Sequence, residues 1–257
     1  MSKRLLPLLG VALLASTSAT YVSAQLAPDN TSYLNVDLVG VGKQLQFEQP
    51  ARLVDVLKQA QLQDLILQYP LGTTLFDSSE HSLRESTALK NSVLNQMIQH
   101  NLVAHPFYKY IQKHQFAPRL FSAVDLDDIR LDKFNNPLIS GDLTLVSPQR
   151  EEKVIYLGNV EQVYLVKEQA GIPLKQQIAN LKNDIGELAH PPILIYPDGK
   201  VVHPHHGSWL TTQYYLPPLT IVYIPFEEFE KSEMDQDIVE LLTQLKPTSM
   251  KSHYDVN

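Results

Sequence analysis

Asn35-Val36-Asp37-Leu38-Val39-Gly40, then Gln44-Leu45-Gln46-Phe47, then an apolar phrase around Leu53, Val56 and Leu57, is the stretch on which the fold reading turns, because it recurs. The second copy runs Val154-Ile155-Tyr156-Leu157-Gly158, then Gln162-Val163-Tyr164-Leu165, then a phrase around Leu174 and Ile178. Gly40 aligns with Gly158, Gln44 with Gln162 and Phe47 with Leu165. Both copies close on a strand-like run. The first ends on Pro137-Leu138-Ile139-Ser140-Gly141-Asp142-Leu143-Thr144-Leu145-Val146, the second on Tyr215-Leu216-Pro217-Pro218 followed by Leu219–Ile224. Self-similarity of this kind implies a repeated structural unit. It predicts two small modules of one design, each with a strand hairpin, a helix and a closing strand. That plan points to a binding surface and away from an active-site cleft.

Working outward, the N-terminus reads as a secretory signal peptide over residues 1–24. Lys3-Arg4 is the positive region, Leu5 to Ala15 the apolar run and Val22-Ser23-Ala24 the small-residue cleavage site. That run is shorter than the roughly 20 residues a spanning helix needs. Removing it leaves 19 basic against 28 acidic residues, a net charge of −9, since residues 1–24 hold two cations and no acid. A negative surface disfavours nucleic acid and anionic lipid. The chain has no cysteine, so it can form no disulfide and carries no lipid-bearing cysteine. The expectation is a protein of an extracytoplasmic compartment that is not an integral membrane protein. Its 44% hydrophobic content suffices for a core without covalent ties.

Within residues 25–148 a helical insertion is predicted at about 80–117. Ser82 and Glu85 have capping-box spacing, and Leu89, Val93 and Met97 form one apolar stripe, expected to pack on its own module. Phe107–His114 reads as a second helix after Pro106. Leu65–Leu67 reads as a strand, and Leu126–Leu131 alternates like a half-buried strand. Residues 149–226 repeat the plan without the insertion, with Pro197-Asp198-Gly199-Lys200 as a tight hairpin turn. In residues 227–257 Met234, Ile238, Leu241, Leu242 and Leu245 share one helix face. Acids precede it and Lys246-Pro247 ends it, a charge order that suits the helix dipole. The face can pack back on the modules or dock a partner.

These residues together resemble a family. Ala117-Pro118-Arg119, Asp125–Leu131, Asn136-Pro137-Leu138 and Gly141-Asp142 in the first half are similar to the capsule-biosynthesis GfcC-like proteins. So are Pro197-Asp198-Gly199, Trp209, Leu216-Pro217-Pro218 and Ile221–Phe226 in the second. The resemblance covers nearly the whole chain after residue 24. It implies an α+β protein of two β-grasp (ubiquitin-like, SLBB-type) domains, related to those of outer-membrane polysaccharide export proteins. A helical insertion and a C-terminal amphipathic helix complete the plan. It further implies a non-enzymatic accessory role, in the periplasm, in capsule or exopolysaccharide biosynthesis and export. The partner would be an outer-membrane polysaccharide export protein, the polysaccharide, or both. Two prolines depart from the family pattern: Pro118 and Pro218 stand where glycine is usual, which alters the backbone at both places.

Four residues are candidates for ligand or partner contact. Arg119 offers a rigid five-donor fork for a carboxylate or phosphate; its structural alternative is an ion pair with Asp125 or Asp127. Asp125 and Asp127, on one face of a strand about 7 Å apart, carry the alternative function, a polysaccharide-modifying enzyme using Asp125–Asp128, since glycosidases set two carboxyls about 5–9 Å apart. Trp209, with Tyr214 and Tyr215, offers a stacking surface for sugars or a core contact. His203-Pro204-His205-His206, with His190, is the one metal-like cluster, but a third ligand is not evident and no metal or cofactor is expected.

Overall fold

The structure is a computed structural model that describes residues 33–167, 170–204 and 211–247. The expected signal peptide lies outside them. So do Trp209, His205, His206 and the last ten residues.

In the first half the alternation of Leu34, Val36 and Leu38 with Asn35 and Asp37 makes strand β1 (Leu34–Leu38), buried on one face only. It turns through Gly40, at φ +97°, into β2 (Lys43–Phe47). A short β3 (Ala51–Arg52) leads into α1 (Leu53–Leu62), whose Leu53, Val56, Leu57 and Ala60 cover the apolar face. Then follow β4 (Thr74–Asp77), helices α2 (Glu80–Gln99) and α3 (Pro106–Lys113), and β5 (Arg119–Phe121). Helix α4 (Leu126–Leu131), β6 (Leu138–Ile139) and β7 (Gly141–Val146) complete this half. The sheet order is β2-β1-β7-β4-β5, with β1 and β7 parallel and the other neighbours antiparallel.

The second half has β8 (Lys153–Gly158), β9 (Tyr164–Lys167), α5 (Leu174–Asn180), α6 (Lys182–Ile185), β10 (Ile193–Ile195), β11 (Val201–Val202) and β12 (Ile221–Ile224). Its sheet order is β9-β8-β12-β10-β11, again with only the first and last long strands, β8 and β12, parallel. Strand for strand this is the order of the first sheet. The protein is thus α+β, with two five-stranded mixed sheets of one topology. Gly158, at φ +104°, matches Gly40, and a Cβ there would lie 2.2 Å from the Ile224 carbonyl oxygen, so no side chain fits.

Several expectations need correction. With Gly40 set on Gly158, Ile155 takes the place of Asp37; Ile155 pairs with Leu165 and Asp37 with Gln44, so Leu165 stands for Gln44 and not for Phe47. The second hairpin has the longer connection. Leu65–Leu67 is not a strand; β4 is. Leu126–Leu131 is α4, not a strand: Asp125 caps it, accepting from the Asp127 amide at 2.8 Å, and Asp127 and Asp128 lie in its first turn, Arg130 in its last. Cap and dipole terms outweigh a six-residue alternation. Helix α2 starts before the expected capping box, with Ser79 as its cap, because Ser82 donates instead to Asp77 at 2.8 Å.

The largest correction concerns the insertion. The α2 stripe does not pack on its own sheet. Val93 and Met97 join Phe107 and Ile111 of α3 against Ile155, Leu157, Ile193, Ile195, Ile221 and Tyr223 of the second sheet. The final helix α7 (Glu233–Thr243) lies in the same layer, through Met234, Ile238, Leu241 and Leu242, with Leu245 beyond its end partly buried. On the opposite face Val154, Tyr156, Leu194, Val222 and Ile224 meet Leu174 and Ile178 of α5. The second sheet is therefore covered on both faces, one of them by helices that the first half lends.

Candidate functional site

Residues 244–246 run antiparallel along 115–117. The Ala117 amide donates to Gln244 O at 2.9 Å, the Lys246 amide to Gln115 O at 3.0 Å, and Phe116 bridges Leu245. This pairing draws the end of α7 across the edge of the first sheet, where β5 presents Arg119.

Arg119 is the knot of the molecule. Its Nε donates to Thr243 O at 2.5 Å, and its Nη1 to Thr74 Oγ1 at 3.1 Å and to Pro197 O at 2.8 Å. The guanidinium also lies over the Phe76 ring at 5.3 Å. One side chain so joins β4 of the first sheet, the β10–β11 turn of the second and the last helix. Burial pushes its pKa down to about 10, and the charge of Asp198 opposes that shift. Its expected pairing with Asp125 or Asp127 is not made. At Gly199 (φ +85°) a Cβ would come 3.0 Å from Arg119 Cδ, so the Asp-Gly turn also makes room for the arginine.

Beside Arg119 is a cavity of about 90 Å³ lined by Tyr110, His114, Ile155, Tyr196, Leu242 and Lys246, among others. Its walls come from the insertion, the second sheet and the C-terminal segment. Burial lowers the pKa of Lys246, with Asp37 opposing. Nη2 of Arg119 has no partner among the described residues, and the surroundings are mostly aliphatic. The arrangement suits an anionic group on a small apolar body. Of its wall residues, His114, Tyr110, Tyr196 and Lys246 were not foreseen; they come together only through the insertion's packing.

The other candidates do not gather here. Asp125 is a helix cap, and Asp127 is exposed, 3.4 Å from Arg130. The face formed by Met234, Ile238, Leu241 and Leu242 is buried, and within this helix Asp235 is buried too. Asp235 accepts from the Phe226 amide at 2.9 Å, from the Glu227 amide at 3.1 Å, and from the Tyr223 hydroxyl. Burial first, then Asp235, raises the Tyr223 pKa well above its usual value. The sequence signal for this anchor is an acid in the first turn of a helix that follows a strand. His203 packs 4.9 Å from the Phe229 ring and shares a surface cavity of about 490 Å³ with His190, Glu228 and Glu230. Among the described residues no group of three or more ligating side chains could hold a metal, and no helix is long and apolar enough to cross a membrane. No protein-family model matches the chain, and no curated protein matches it.

Proposed function

We propose that the chain is a non-enzymatic accessory protein of the periplasm that serves capsule or exopolysaccharide biosynthesis and export. In this reading its halves are two β-grasp domains of the SLBB type. It acts by binding an outer-membrane polysaccharide export protein, or the polysaccharide itself, at the junction around Arg119. The observation that carries the reading is the repeated strand order of the two sheets, with the shared helical layer and the arginine knot between them. A rigid pair of like modules suits a scaffold, which must hold two surfaces at a fixed angle. The alternative, an enzyme built on Asp125–Asp128, has less support, since Asp125 caps a short helix, Asp127 and Asp128 lie in its first turn, and Asp127 is exposed beside Arg130.

The test is recovery from envelope extract with a tagged chain. The expected result is co-purification of an outer-membrane export component, lost in Arg119→Ala when that variant remains folded. Recovery of no export component, together with unaltered surface polysaccharide in cells lacking the protein, would overturn the reading. Polysaccharide turnover that Asp127→Asn abolishes would replace it with the enzyme.

A further inference from the structure

Helix α3 is held at each end by a histidine. At its N-terminus His105 caps the helix: its Nδ1 accepts from the Phe107 amide at 3.2 Å. An acceptor nitrogen carries no proton, so this cap exists only with a neutral ring. Protonation would remove the bond and place a positive charge at the positive end of the helix dipole. At the C-terminus His114 donates from Nδ1 to Tyr110 O at 2.7 Å and stacks on the Tyr110 ring at 3.9 Å. Between the two, Phe107 meets the Tyr223 and Phe226 rings, and the His105 ring stands edge-on to Phe226 at 5.1 Å.

The charges around these rings set the sign. Near His114, α2 contributes Lys90, whose Nζ donates to Gln112 O and His114 O at 2.9 and 2.8 Å, and α3 contributes Lys113. Across the cavity β5 contributes Arg119, the C-terminal segment Lys246 and the second sheet Tyr196. Among the described residues no carboxylate lines this cavity, although Asp198 acts on Arg119 and Asp37 on Lys246 from beyond its walls. The segment after β12 meets His105 through Phe226, whose amide donates to the buried Asp235 and whose neighbour is Glu227; α3 itself carries Lys109. Glu227 lies 3.4 Å from His100 at the end of α2, and both side chains are half exposed.

We propose that α3 is an acid-sensitive latch: protonation of His105 and His114 releases it from the second sheet, and with it the Tyr110–His114 wall of the junction cavity. Burial lowers the pKa of His105, and burial, Lys90 and Lys113 lower that of His114 against the Tyr110 carbonyl. A base whose folded pKa lies below its unfolded one favours the closed state above about pH 6.5 and loses that contribution as pH falls through the folded value.

Hydrogen–deuterium exchange on the full chain tests this. Between pH 7.5 and pH 5, corrected for intrinsic rates, the amides of residues 106–113 should lose protection, by up to about tenfold per pH unit for each proton taken up on release. Those of β1 and β7 should not. The double variant His105→Asn, His114→Gln, which keeps a side-chain acceptor at the cap and a donor at the other end, should show no such loss. Wild-type protection that ignores pH, or a double variant that loses it equally, overturns the proposal. Should the double variant not fold, NMR titration of the wild-type rings decides: both must titrate below 6.5, and either at or above that value overturns it.

Discussion

At the scale of residues, Arg119 shows how one side chain can stand in for an interface. Its three described hydrogen bonds end on two carbonyls and a hydroxyl, from three different parts of the fold. A lysine can supply charge but not the planar fork that reaches several acceptors at once. Arg119→Lys is expected to lower stability by about 1–3 kcal/mol, because buried carbonyls lose their donors. Urea unfolding of the two proteins checks this, and an unchanged midpoint would remove the arginine from its joining role. The sequence singled out Arg119 by its donor chemistry, but not its partners. Thr243 and Pro197 are far from it along the chain; the pairing of residues 244–246 with 115–117 brings Thr243 close, and Pro197 comes with the second sheet, on which α2 and α3 pack. Asp125 and Asp127 sit in a helix for a local reason. Five of the eight residues Asp125–Asp132 alternate as a strand would, but the same acids form a helix start signal, and that signal prevails.

At the scale of elements, the question is what holds α7 in a protein with no disulfide. Part is the apolar face; part is Asp235, whose carboxylate takes three donors where β12 ends. Asp235→Asn keeps the shape but turns an amide group toward backbone N–H donors. We expect a loss of about 2–3 kcal/mol, typical of a charged acceptor removed from buried donors, and faster exchange of the α7 amides. Equal stability of the variant would show that the helix is held by its apolar face alone. The helix itself was plain in the sequence, from its four-residue spacing and charge order. The use of α2 was not. Its stripe told that a partner surface existed, but periodicity carries no address. A signal was nonetheless present in the strands. Leu34–Leu38 and Gly141–Val146 mix polar and apolar residues, whereas Val154–Leu157, Ile193–Ile195 and Ile221–Ile224 are unbroken apolar runs. Unbroken runs mark a sheet buried on both faces. Among the described residues of the second half, α5 and α6 pack on one face of this sheet, and the layer on its other face comes from α2, α3 and α7.

At the scale of the molecule, two sheets of one topology are fastened in three ways: by the lent helices α2 and α3, by the returning segment 244–246, and by Arg119 with the buried Tyr69–Pro218 hydrogen bond of 3.0 Å. The duplication was legible because it is written in strand phrases and glycines; the fastening was not, because it depends on contacts distant in sequence. Separate modules on a linker would unfold separately. Modules that share a layer of core cannot, since removing either exposes the apolar face of the other. Scanning calorimetry of residues 25–257 at neutral pH tests this claim most directly. The account predicts one transition, with calorimetric and van't Hoff enthalpies equal; two resolved transitions, or a calorimetric enthalpy near twice the van't Hoff value, would contradict it.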